Sequence, residues 1–247
     1  MGVNREITGQ KKEQEKEYLY WMCSRVEGMG AVSIRKTGEF AGSFQEAFYI
    51  EGTELFRQGV FRRTSQADSF DQAKKELDSS RREYQELGER GIRFITPLDE
   101  EYPERLRNIY DYPMGLWVKG SLPDESHPAA AIVGSRSCTN YGEQAAEYMG
   151  RELGRNGVQV ISGLAMGVDG AGHRGALKAG GRTWAVLGCG VNVCYPKSHY
   201  PLYQSVLEQG GILSEYPPNR SPKTFHFPVR NRLISGLSDV ILVIEAG

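Results

Sequence analysis

Apolar residues along the chain keep two rhythms. From Glu17, Tyr18, Leu19, Met22 and Val26 recur on one helical face. Further helices are expected over Phe44–Phe48 and Phe70–Arg90, the latter opened by Ser69 and ended by Gly91. Ile92, Phe94 and Ile95, and later Leu116-Trp117-Val118, carry strand character, and Pro123 and Pro128 close that stretch. From Ala129 the rhythm changes. Short, wholly apolar runs (130–133, 158–161, 183–187, 212–214 and 240–244) alternate with amphipathic stretches over 141–156, 167–179, 200–209 and 229–237. Strands without a polar face belong to a parallel sheet covered on both sides, and parallel neighbours need right-handed helical crossovers. The expected fold is α/β: a doubly wound, Rossmann-like parallel sheet with a small all-helical N-terminal domain.

The expected organisation is a disordered polar tail over 1–17, a helical domain over 18–90, a connector over 91–128 packed on the second domain, and the Rossmann-like domain over 129–247. Gly28-Met29-Gly30 joins two helices. It reads either as a helix-hairpin-helix turn, whose glycines admit a phosphate to backbone N–H groups, or as a plain interhelical turn.

Composition changes this picture little. The chain has 247 residues, 25% charged and 39% hydrophobic, as in an ordinary globular protein. No apolar run is long enough to span a membrane, and the polar opening lacks the apolar core of a signal peptide, so a cytoplasmic location is expected. Cys23, Cys138, Cys189 and Cys194 form no CxxC, and the histidines share no ligand spacing, so neither a metal nor disulfides are expected. Charge is unevenly divided. Residues 129–247 carry 11 Lys+Arg against 8 Asp+Glu, a net +3, while the remainder carries 19 against 23, a net −4. A polyanionic partner is permitted by the second half but not demanded.

Ligands of doubly wound sheets bind at the carboxyl ends of the strands. That rule selects Gly134-Ser135-Arg136, the Ser162-Gly163 to Gly167 loop, the segment from Gly188 to Pro196, and 214–232. The first two loops precede helix starts, whose N–H groups favour anions. Arg136, Lys197, Arg230 and Arg232 add cations, with Asn231 between the last two, and arginine's fork suits phosphate. Tyr195, Phe225 and Phe227 are candidate stacking partners for bases. No GxGxxG follows the first strand, which disfavours a dinucleotide cofactor, and none is expected. Catalysis is not expected either. Asp169 and His173 stand four apart on a helix near Ser162, but no GxSxG elbow accompanies them, and they read as a helix-orienting pair.

Five segments together resemble the DNA-processing (DprA/Smf) family. They are Ala131-Ile132-Val133-Gly134-Ser135-Arg136; Ser162-Gly163-Leu164-Ala165-Met166-Gly167-Val168-Asp169 with His173; the run from Ala185 to Pro196 ending in Cys194-Tyr195-Pro196; Ser214-Glu215-Tyr216-Pro217; and Phe227-Pro228-Val229-Arg230-Asn231-Arg232 with its continuation to Asp239. The resemblance implies a Rossmann-like protein that binds single-stranded DNA, dimerises, and passes incoming strands to the RecA recombinase in natural transformation, without being an enzyme. It places DNA contacts at Arg136 and Lys197. It also implies that the family's domain continues past Gly247. Two alternatives remain at this stage. One is a LOG-type nucleoside-monophosphate phosphoribohydrolase, whose Pro-Gly-Gly-x-Gly-Thr signature would follow the strand over 240–244. The other is a mononucleotide-sensing domain.

Overall fold

The protein is described by a computed structural model over residues 9–246. Its chain divides into two units. The first holds residues up to Arg90 with 94–100 and 113–115, and the second holds 91–93, 101–112 and 116–247, so the connector is shared between them.

The first unit contains α1 (Gly9–Arg25), α2 (Ala31–Ala41), α3 (Phe44–Phe48), α4 (Gly52–Arg57), α5 (Thr64–Ala73) and α6 (Leu77–Gln85). Its core is aromatic. Trp21 meets the rings of Phe48 and Phe70 edge-on, and its indole N–H donates to Ala73 O at 2.7 Å. A buried indole N–H needs such a partner. Two expectations change here. The polar tail expected over 1–17 is helix from Gly9 onward, while residues 1–8 lie outside the described residues. Its polar side chains are held from a distance: Lys16 pairs with Asp99 at 3.1 Å, Tyr84 donates to Glu13 at 2.7 Å, and buried Glu15 accepts the Phe44 N–H at 2.7 Å. The single helix expected over Phe70–Arg90 is broken at Lys74–Glu76 by a 3-10 turn. Around Gly28-Met29-Gly30 the backbone is already engaged, because Gln66 donates to Gly28 O and Ser69 accepts the Glu27 N–H.

Seven strands form one sheet: β1 (Arg93–Ile95), β2 (Leu116–Gly120), β3 (Ala129–Gly134), β4 (Gln159–Ser162), β5 (Thr183–Leu187), β6 (Gly211–Ser214) and β7 (Val240–Ile244), in the order β1-β2-β6-β5-β4-β3-β7. β3 to β6 are parallel neighbours, β7 runs parallel to β3 on its other side, and β2 pairs antiparallel with β6. The helices of the second unit are α7 (Glu104–Arg107), α8 (Asn140–Arg155), α9 (Val168–Lys178), α10 (Tyr200–Gln209) and α11 (His226–Gly236). Residues of β4, β5 and β6 are buried throughout, which is why their sequences show no alternation. The chain steps from β3 through β6 in one direction, then returns through α11 to β7 beyond β3. Strand order therefore reverses at β3, and a doubly wound sheet opens its crevice at such a reversal. Among the described residues, no helix is long and apolar enough to cross a membrane.

Candidate nucleic-acid interface

The loops after β3, β4 and β5 are clamped to one another. Gly167 precedes α9 with φ +72°, in a region where only glycine is at ease. A Cβ there would lie 2.3 Å from Ser135 O, so the 134–136 turn sits directly on the 162–167 loop. The Val168 N–H donates to Ser135 O at 3.2 Å and closes that contact. From the other side, the 3-10 turn Lys197–His199 docks on the same loop. His199 Nδ1 lies 3.0 Å from Leu164 O, and Ser198 Oγ reaches Met166 Sδ at 3.7 Å. Arg136 and Lys197 thus flank one loop. Both are exposed, and among the described residues neither is held by a carboxylate.

Aromatic rings lie beside Arg136 and lead along the chain toward Lys197. The Arg136 guanidinium lies 4.8 Å from the centre of the Phe227 ring, within cation–π range. Tyr195, half exposed, stacks on Phe227 at 5.6 Å and 29°, and a cis bond to Pro196 leads from it to Lys197. Phe227 is only partly exposed and already carries both neighbours, so Tyr195 is the open ring of this stack. Phe225 is 64% exposed, with Lys223 5.8 Å from its centre.

Several residues expected on this rim are instead internal. Ser162 is fully buried and donates to Ile132 O at 2.5 Å, tying β4 to β3. Gly163 is buried between two charges: a Cβ there would lie 2.5 Å from Arg230 Nη2 and 2.6 Å from Asp169 Oδ2. Gly134 is the last residue of β3, with Ile244 O filling the space beside its Cα. Arg230 is 3% exposed, and its Nη1 donates to Gly163 O at 3.0 Å and to Val186 O. It is not an exposed rim cation: its guanidinium is held at the ends of β4 and β5, where it lines the cavity beside Arg136. Arg232 donates to Asp111 and Glu215, both at 2.7 Å. That pairing neutralises it within the fold. Asn231 remains exposed beside them, its side-chain oxygen 3.3 Å from Arg230 Nε.

The helix starts are partly taken. At α8, Thr139 is the N-cap, and the Glu245 carboxylate accepts its backbone N–H at 2.8 Å as well as its hydroxyl. These bonds hold the Glu245 carboxyl below its ordinary range. At α9, Asp169 Oδ2 accepts the Gly163 N–H at 3.1 Å, and Ser135 O takes the Val168 N–H. Burial pushes the Asp169 carboxyl up, while Arg230 pulls the other way. The expected pairing of Asp169 with His173 does not form. His173 Nδ1 lies 2.7 Å from Thr183 Oγ1, whose hydroxyl donates to Val160 O, so the imidazole is the donor to Thr183. The opposite nitrogen, Nε2, has no partner among the described residues. Sequence reasoning could have placed Arg230 inside. It falls on the stripe of His226, Leu233, Ile234 and Leu237, which is the buried face of α11.

Beside this rim lies a cavity of about 350 Å³ lined by Gly134, Arg136, Asp169, Arg230, Asn231 and Arg232 among others.

Residues 93–247 match the family model of DNA recombination-mediator protein A. Over 154 residues the chain is 45% identical to protein Smf of Escherichia coli strain K12, covering 62% of this chain and 41% of that protein. The crystal structure of DNA processing protein A from Streptococcus pneumoniae superimposes with a TM-score of 0.75 at 32% identity, covering 98% of this chain and 79% of that one. DNA processing protein A from Helicobacter pylori, solved to explain its single-stranded DNA binding mode, gives 0.55 at 32% identity, over 62% of this chain and 70% of that one. The chain spans about half the length of the curated relatives it matches. With the model matched from β1 onward and the motif loops gathered on one rim, the chain belongs to the family of DNA recombination-mediator protein A, the DprA/Smf family.

Proposed function

We propose that this chain binds single-stranded DNA along the rim formed by Arg136, Phe227, Tyr195 and Lys197, and acts as a DNA-processing recombination mediator rather than an enzyme. One observation carries the reading: two exposed cations, neither in an ion pair among the described residues, flank a single clamped loop, and an aromatic stack beside Arg136 leads along the chain to Lys197. Cations that follow a backbone and rings that take bases are the two components of sequence-tolerant single-strand binding. The H. pylori relative, studied for its single-strand binding, supports the same ligand for this chain. Handing the strand to a RecA recombinase, pairing as a homodimer and a cytoplasmic location belong to this proposal as well.

The non-enzymatic part rests on how the candidate catalysts are held. Asp169 is tied to backbone N–H groups, His173 to Thr183, and Glu245 to the cap of α8.

The test is titration of a fluorescent 20-nucleotide oligothymidylate by anisotropy at several salt concentrations. Arg136→Ala and Lys197→Ala should each weaken binding and reduce the log–log salt slope by about 0.7, the value for one phosphate contact on a single strand. Folded variants that bind like the parent sink the assignment. Release of free base from AMP sinks the non-enzymatic reading.

A further inference from the structure

We propose that Arg230 is a positioning residue of the rim, setting where the Phe227–Tyr195 stack stands without touching DNA itself. The inference rests on the single-strand reading above. Arg230 stands on α11 three residues after Phe227, so the two side chains lie on adjacent turns of one face. Its Nη1 donates to Gly163 O and Val186 O, which pins α11 to the ends of β4 and β5. His226 adds a second pin, its Nδ1 lying 3.0 Å from Gly188 O. Between these pins the Phe227 ring rests against Gly188, so close that a Cβ there would meet it at 2.8 Å. Phe227 in turn carries the Arg136 guanidinium and the Tyr195 ring. The chain of contact runs from Arg230 through α11 and Phe227 to the two groups that face solvent.

Charge argues the same way. Arg230 is 3% exposed, and although it lines the cavity beside Arg136, its Nη1 is committed to Gly163 O and Val186 O. Asp169 is the carboxylate beside it, the two meeting around Gly163. A buried ion pair is weak evidence for stability, since apolar side chains of similar volume commonly fill such a space as well or better. What an apolar residue lacks is a donor that reads two strand-end carbonyls and fixes one register of the helix.

The experiment compares the parent, Tyr195→Ala, Arg230→Met, Arg230→Lys and the Tyr195→Ala/Arg230→Met double variant, using the same oligothymidylate. Arg230→Met should weaken binding about tenfold at fixed salt, the scale of one lost base stack. Its salt slope should stay at the parent's value, because no phosphate contact is removed. Arg230→Lys, which keeps a donor and a charge, should recover part of the loss; if the methionine variant does not fold, a smaller loss at unchanged slope in the lysine variant reads the same effect. In the Tyr195→Ala background the methionine substitution should cost less than about threefold, since the ring it positions is already gone. A folded Arg230→Met that binds like the parent overturns the proposal and leaves the single-strand reading standing. So does a slope reduced by one contact, which makes Arg230 a direct ligand, or a full tenfold loss on top of Tyr195→Ala. A parent that does not bind the oligonucleotide sinks both.

Discussion

His173 makes the second unit sensitive to acid. The imidazole is completely buried on α9, and its Nδ1–H is held by Thr183. Burial is the main reason its pKa falls to about 3, and the neighbouring His199, Arg230 and Arg174 push in the same direction. In the unfolded chain an imidazole titrates near 6.5. The folded pKa is therefore depressed, so the unfolded state binds a proton that the folded state refuses between about pH 6.5 and 3. Stability is full above that window and falls as pH drops through it. Between pH 7.5 and 5, the loss from this one group is about 2 kcal/mol. For a urea slope of about 2 kcal/mol per molar, the unfolding midpoint moves down by about 1 M. His173→Asn places an amide N–H where Nδ1 stood, keeps the bond to Thr183, and removes the titration. Urea unfolding of parent and variant at half-unit pH steps gives the difference directly. His226, whose pKa burial also lowers, is present in both proteins and cancels. The parent should lose its advantage over the variant progressively below pH 6.5. A difference that stays flat from pH 7.5 to 5 refutes the reasoning, because the imidazole would then accept its proton within the fold.

Two other substitutions separate packing from binding. Gly167→Ala forces a side chain into a positive φ and against Ser135 O at 2.3 Å; it should cost more than about 1 kcal/mol in urea unfolding and also weaken oligonucleotide binding, because the Arg136 turn rests on that glycine. Ser162→Ala removes a buried hydroxyl from Ile132 O and should cost about 1 kcal/mol of stability with the dissociation constant for oligothymidylate unchanged; a large loss of affinity in a folded variant would return Ser162 to the interface.

Local pattern was enough to read the second unit's elements. The strand over 240–244, the helix over 200–209 and the strand over 183–187 lie where apolar runs and bounding glycines put them. The loops at the strand ends were legible for the same reason, since the doubly wound rule locates them from the strands alone. What stayed hidden was set by distant partners. Arg232 answers to Asp111, 121 residues earlier, and Glu245 closes a helix that begins 105 positions before it. The polar residues of α1 look solvated until Asp99, Tyr84 and Phe44 meet them. Arg230 differs from these. Its place on the apolar stripe of α11 was visible, but its charge made it look like a ligand for phosphate.

This distinction changes how the rim can hold an anion. A sheet of this kind ordinarily offers helix N-termini, with fixed N–H groups and a partial positive charge. Here protein oxygens occupy part of each: Glu245 and Thr139 at α8, Ser135 and Ala165 at α9. Fixed N–H groups suit a compact phosphate in one position, as in a mononucleotide. Long side chains on a clamped loop suit a phosphate whose position varies along a strand. Capping these N–H groups weakens the first mode, and under the proposed single-strand reading the second falls to Arg136 and Lys197. Their precision then depends on what lies beneath them, and for Arg136 that is the Phe227 ring. A polymer gripped this way is held by charge and stacking at several points, none of which demands a particular base.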